Sequence, residues 1–285
     1  MDVPLPPAAP VKLLRPVSQT VPLVFASPHS GRDYSPDFLA DARLDPLSLR
    51  RSEDSFVDEL FAAAPEFGAP LLAATFPRAF CDPNREPWEL DPAMFEEALP
   101  AWVNSSSARV SAGLGTIARV VASGETIYRR KLRFGEAKSR VLEHWQPYHD
   151  RLAELIAATR REFGVCLLID CHSMPAAGTL AKGADFVLGD AHGTSCPPHV
   201  TRLLERLLAA LGYAVRRNEP YSGGYTTRHY GRPREGVHAL QIEIARSLYM
   251  DETRIERLPC FAAVQRDVRT LIAALAAAAP AVLAG

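Results

Sequence analysis

Three polar positions sit where an apolar run ends: His29 in "SPHSGRDY", Asp54 in "RSEDSFVDEL" and His172 in "LLIDCHSMP". Two histidines and a carboxylate with a fourth position left open make a catalytic zinc site. A ligating histidine is oriented by a carboxylate on its other ring nitrogen, a role that Asp170 fits from the same strand face as His172. Asp54 lies three residues before Val57 and seven before Phe61, a spacing that predicts the buried face of a helix at its first turn. Glu53 is rotated from it by about 100°. The competing reading is a pair of hydrogen-bonded loop histidines and a carboxylate favoured by a helix N-terminus. No HExxH or other compact zinc signature decides between the two.

The strand-like run "VHALQIEI" adds a further group. Alternation puts His238, Leu240, Ile242 and Ile244 on one face, and Val237, Ala239, Gln241 and Glu243 on the other. A glutamate on a half-apolar strand face is costly unless paired or functional. Beside a metal site it is a candidate general base, and a salt bridge to an arginine is the alternative. Two Gly/Pro-punctuated loops, "FPRAFCDPNREP" and "SGGYTTRHYGRPREG", carry Arg78, Arg85 and Arg228, which are able to clamp carboxylates bidentately. The alternatives are an Arg85–Glu89 surface pair and a charged exposed loop at 228–234. "GLGTIARVV" has G-x-G spacing, but no helix follows, so it is not a nucleotide fingerprint. A Cys171–His172 nucleophile pair is excluded, because adjacent strand residues point to opposite faces.

These groups need elements to hold them. Strand-like runs recur at 22–27, 70–75, 116–121, 165–170, 185–190, 213–217 and 238–244. Helical spacing appears at 54–64, at 136–163 with Gly164 as its stop, at 198–211 and at 251–278. The alternation predicts one α/β domain over 21–285, with a mixed, mostly parallel sheet flanked by helices, preceded by a proline-rich extended arm over 1–20. A net charge of −1 gives no basis for binding nucleic acid or an anionic membrane. The apolar C-terminal stretch is short and broken by Pro280, which predicts a packed helix and not a span. Five scattered cysteines without metal-type spacing predict reduced thiols and a cytoplasmic protein. Oligomeric state has no sequence signal.

In order, "SPHSGRDY", "RSEDSFVDELF", "FPRAFCDPNREP", "LLIDCHSMP", "GGYTTRHYG" and "HALQIEIARSLYMDE" resemble the N-formylglutamate amidohydrolase (N-formylglutamate deformylase) family, over residues 22–252. That family is similar in fold and motif order to the zinc carboxypeptidases (a phosphorylase/hydrolase-like fold). The resemblance implies one zinc per chain, or another divalent metal, held by His29, Asp54 and His172, with Glu243 as catalytic base. Asp170 becomes the implied support of His172. Carboxypeptidases place the acidic ligand three residues after the first histidine, and that position here is Arg32. The carboxylate must come from elsewhere, Asp54 first, with Glu53 or Asp33 as alternatives. Asn84 and Arg85 resemble the α-carboxylate clamp. Arg228, with Arg78 as second choice, is implied for the side-chain carboxylate, and His229, Tyr230 and Ser173 for the pocket wall. The implied reaction is hydrolysis of N-formyl-L-glutamate to formate and glutamate, as in histidine degradation. A zinc hydrolase of another small N-acyl amino acid or peptide, or a non-catalytic sensor of acidic amino-acid derivatives, are the alternatives.

Overall fold

The structure, a computed structural model, describes residues 9–175 and 183–283. Among these residues one seven-stranded sheet runs through the molecule. Its strands are β1 (Val11–Leu14), β2 (Leu23–Ser27), β3 (Leu71–Ala74), β4 (Cys166–Met174), β5 (Phe186–Gly189), β6 (Val215–Arg217) and β7 (Val237–Ala245), in the spatial order β1-β3-β2-β4-β7-β5-β6. The four strands β3, β2, β4 and β7 are parallel, while β1 and β5 pair antiparallel to β3 and β7. The sheet is mixed and mostly parallel, as the alternation of strands and helices predicts.

Every residue of β2, β4 and β7 is buried, because helices cover both faces. Alternation sorts the side chains into two cores. Leu23, Phe25, Ile169, Cys171, Leu240 and Ile242 face α1 (Val57–Leu60), α2 (Pro198–Ala210) and α3 (Phe261–Leu283). Val24, Ala26, Leu168 and Ala239 face Trp145 and the long helix Gln146–Phe163, together with residues of the 76–141 excursion. That second face is interrupted at its carboxyl end by polar residues, and the site lies there. No helix among the described residues is long and apolar enough to cross a membrane. All five cysteines are unpaired, and Cys171 is buried in the core opposite the site.

The segment boundaries depart from sequence spacing in three places. Residues 116–121 form no strand. They are a strap stitched to the 82–89 loop by Asp82 N–H to Thr116 O and Thr116 N–H to Glu89 O, at 2.7 and 2.8 Å. Its apolar residues divide between two clusters, Ile117 in one and Ala118 and Val121 in the other, which mimics a strand in sequence. Residues 251–260 are not helical. Met250–Asp251 pairs antiparallel with Glu256–Arg257, and the Asp251 carboxylate accepts from the turn N–H groups of Thr253 and Arg254. The helix expected over 54–64 shrinks to Val57–Leu60, because Phe56 just before it sits at φ 67°. The 136–163 helix does end at Gly164, in the left-handed conformation, but contains a π turn at Val141–Trp145.

Candidate active site

The strands β2, β4 and β7 are parallel, so their carboxyl ends meet at one edge of the sheet. Open α/β sheets bind ligands at such an edge. Beyond β2, His29 is only 2% exposed. In β4 and β7, register sets His172 opposite Glu243 and Asp170 opposite Gln241, on the face continued by Leu168 and Ala239. Asp54 arrives differently from the sequence expectation. It precedes α1 and is not in its first turn; its backbone N–H donates to His29 O at 3.0 Å, which pins the carboxylate beside the histidine.

Nδ1 of His29 and Nδ1 of His172 both approach Asp54 Oδ2, at 3.3 and 2.9 Å, and the three ligand atoms lie within 4.8 Å of one another. Four ligands placed tetrahedrally at zinc distances are separated by about 3.3 Å. The three side chains therefore fit one small cation. Orientation of the rings agrees. His29 Nε2 lies 2.7 Å from Asp82 Oδ1, which favours the proton on Nε2 and turns the Nδ1 lone pair inward. His172 Nε2 lies 3.0 Å from Asp170 Oδ1 and 3.1 Å from Asn84 Nδ2. The Asp170 contact is not an aligned hydrogen bond, and Oδ1 is a buried oxygen without one. Asp170 Oδ2 accepts from Thr227 Oγ1.

The other oxygen of Asp54 is taken by Arg246 Nη2 at 3.0 Å, while Arg246 Nε donates to Ser173 Oγ at 3.1 Å. Burial alone would raise the Asp54 carboxyl, but hydrogen bonds and charge from His172 and His29 outweigh it and hold the group well below the usual range. Burial likewise opposes a charged His172, yet Asp170, Asp54 and Glu243 outweigh it and push this imidazole up. Without a cation, the charge of these carboxylates favours a proton on His172.

Glu243 is buried beside these groups and accepts from Gln241 Nε2 at 2.8 Å, and Gln241 Oε1 accepts from Gly224 N–H. Burial, reinforced by the neighbouring carboxylates against the pull of His172 and Arg246, pushes its carboxyl up to about 8. A carboxyl tuned to neutrality is suited to taking and returning a proton.

His29, Asp54, Asp82, His172, Gln241, Glu243 and Arg246 border a cavity of about 470 Å³. Arg78, Arg85, Arg228 and Ser173 border it as well. Arg78 pairs with Asp82 at 2.7 Å. Arg85 is buried and makes no surface pair with Glu89; it donates to Leu114 O and Asn84 O, and burial lowers its pKa to about 10. Asn84 lies among the site residues, but its amide is engaged by His172 and, through Oδ1, by the backbone N–H of Thr226.

His229 and Tyr230, expected in the pocket wall, are turned away from it. His229 stacks on Tyr225 with centroids 4.8 Å apart, and Tyr230 Oη lies 2.9 Å from His149 Nδ1. They sit on the short helix Tyr225–Tyr230, whose turn sends Arg228 to the cavity and its neighbours to an aromatic cluster. The alternative acids take no part: Glu53 is held by Arg50, Tyr34 and Ser55, and Asp33 is exposed. Sequence spacing does not single out Asp82 or Arg246. Asp82 is two residues from Asn84 in an irregular loop, and Arg246 follows the end of β7, so neither carries a periodic signal.

Comparison with known proteins gives the family. Residues 21–250 match the family model for N-formylglutamate amidohydrolase. An N-formylglutamate deformylase of Pseudomonas putida is 32% identical over 82% of this chain and 83% of its own. One from Pseudomonas aeruginosa is 34% identical over 81% and 83%. The crystal structure of N-formylglutamate amidohydrolase from Ralstonia eutropha JMP134 superposes with a TM-score of 0.89 at 40% identity, covering 95% of this chain and 98% of that one. With residues 21–250 matched and both deformylases above 30% identity, the chain belongs to the N-formylglutamate amidohydrolase family.

Proposed function

We propose that this chain hydrolyses the formamide bond of N-formyl-L-glutamate to formate and L-glutamate, with one divalent cation, zinc first, held by His29, Asp54 and His172. The observation that carries the reading is the convergence of three buried ligand atoms on one point, beside the buried Glu243, whose carboxyl burial pushes up. A cation there supplies Lewis acidity, making water acidic enough to attack near neutral pH and drawing charge onto the amide oxygen.

The chain's own groups do the rest. Glu243, oriented by Gln241, takes a proton from the attacking water and delivers it to the nitrogen as the C–N bond breaks. The water oxygen leaves in formate. Arg78, fixed against Asp82, offers positive charge to the oxygen that becomes negative in the tetrahedral intermediate. Asp82 orients His29 through its hydrogen bond, and Asp170, 3.0 Å from His172 Nε2, supports that ring by its charge. Arg85 and Asn84 take the α-carboxylate side of the substrate, and Arg228 contributes positive charge to the side-chain carboxylate.

The test is formate release from a panel of N-formyl, N-acetyl and N-succinyl amino acids, alongside metal analysis of the purified protein. N-formyl-L-glutamate is the expected best substrate, with about one divalent ion per chain. Full activity in excess chelator, with no bound metal, would sink the metal-dependent part. Turnover of another acyl group in preference to formyl would reassign the substrate.

A further inference from the structure

Five arginines border the cavity: Arg78, Arg85, Arg109, Arg228 and Arg246. Four of them have partners within the protein. Arg78 is paired with Asp82, Arg246 with Asp54 and Ser173, and Arg85 with two backbone carbonyls. Arg228 donates to Gly223 O and Ser222 Oγ. Arg109 differs: its side chain makes no hydrogen bond or ion pair among the described residues.

Its backbone is nonetheless held in place. The Arg109 carbonyl accepts from Leu114 N–H at 2.8 Å, and the Leu114 carbonyl accepts from Arg85 Nε at 2.9 Å. The rest of that strap is held on the 82–89 loop through Thr116, and a side chain at Gly115 would meet Glu89 O at 2.2 Å, so the strap lies tight against the loop. Leu114, Ala118 and Val120 of the strap supply apolar wall to the same cavity. A guanidinium with no partner among the described residues, beside an apolar wall and on a backbone tied through one residue to a buried arginine, is built for an anion that arrives with the ligand.

We infer that Arg109 is the specificity-determining residue for the distal, side-chain carboxylate of the substrate, with Leu114, Ala118 and Val120 bordering the methylenes that lead to it. The inference rests on the formylglutamate reading and sharpens it. The α-carboxylate is two bonds from the scissile nitrogen and belongs near buried Arg85. The distal carboxylate lies further out along the chain, where the solvent-accessible Arg109 can reach it. Arg228 keeps its hydrogen bonds to Ser222 and Gly223 and adds long-range positive charge.

The experiment compares N-formyl-L-glutamate with its neutral isostere N-formyl-L-glutamine on the metal-loaded enzyme and on Arg109→Met, Arg109→Lys and Arg228→Met. Arg109→Met is expected to raise KM for the glutamate compound by about 10–100-fold, the range of a hydrogen bond to a charged group, while the glutamine compound changes little. Arg109→Lys should fall between, since it keeps charge without the fork. Equal effects on both substrates, or full discrimination retained in Arg109→Met and lost in Arg228→Met, would overturn the assignment. Calorimetric binding of N-formyl-L-glutamate to Glu243→Gln, with and without Arg109→Met, separates this inference from the activity. Arg109-dependent binding without wild-type turnover sinks the hydrolase reading alone, and turnover with Arg109-independent binding sinks this one alone.

Discussion

At the scale of single residues the proposed function separates groups that would hold a cation from groups that would move a proton. Glu243 belongs to the second kind. Its replacement by glutamine keeps the shape and a hydrogen-bonding partner for Gln241 but removes the exchangeable proton site. We expect Glu243→Gln to lose about 10²–10⁴-fold in kcat. Metal content, measured by atomic absorption, should stay at the wild-type level, and a parallel loss of metal would reassign Glu243 as a ligand. Arg246 belongs to the first kind, at one remove. It holds Asp54 Oδ1, which leaves Oδ2 as the oxygen shared with both histidines. Arg246→Met frees the carboxylate to rotate, and supporting groups of this sort are worth about 10–100-fold in metal affinity. Competition with a chromophoric chelator reads that loss directly. Unchanged affinity in Arg246→Met would show that the backbone contact to His29 is enough to hold Asp54.

At the scale of elements the site depends on loops pressed against the sheet edge at backbone distance. Gly224 is the clearest case. A Cβ there would fall 2.3–2.6 Å from the Asn84 amide, which touches His172. Gly224→Ala must displace Asn84 or the Tyr225–Tyr230 helix. We expect it to cost about 1–3 kcal/mol in chemical unfolding and a larger fraction of activity than of folded protein. Gly135, in the first turn of the helix Phe134–Arg140, is the control, because a Cβ added there would meet nothing within 4 Å. Gly135→Ala should stabilise by about 0.4–1 kcal/mol with activity unchanged.

Elements also show what is legible in the sequence. Period-two alternation places Asp170 with His172 and Gln241 with Glu243, because strands buried on both faces leave side chains no other choice. Helical spacing finds Asp54, although its position comes from the His29 contact and the left-handed Phe56 before α1. Asp82 and Arg246 stay hidden because their meaning lies in partners 53 and 192 residues away along the chain. The strap at 116–121 reads as a strand because burial against two clusters produces the same apolar density as burial in a sheet.

At the scale of the whole molecule the site couples folding to protons and, on the proposed function, to metal, and the sign follows from the individual groups. Asp54 and Asp82 are held far below the ordinary range, so their contribution is complete above pH ~4 and is lost only in acid. His149, which burial lowers to about 3, opposes folding progressively as pH falls below its unfolded value near 6.5. Glu243 and His172 act the other way. Their folded pKa values are raised, so in metal-free protein each stabilises fully below its unfolded pKa and loses that contribution as pH rises towards the folded one. Above pH ~6.5 the histidine penalty has vanished while both raised groups remain protonated only in the folded state. Between pH ~4.5, where Glu243 begins to lose its contribution, and pH ~6.5, that loss offsets the gain from His149, so stability of the stripped protein should be level over this range and decline from pH ~6.5 towards pH 8. Metal reverses the trend, because its ligands bind only after losing their protons. The gap in Tm between zinc-saturated and chelator-treated protein should thus widen steadily from pH 6 to 8. Glu243→Gln should flatten the decline of the stripped protein without closing that gap. A gap independent of pH would mean that the cation displaces no proton from His172, and that the buried cluster is not where it binds.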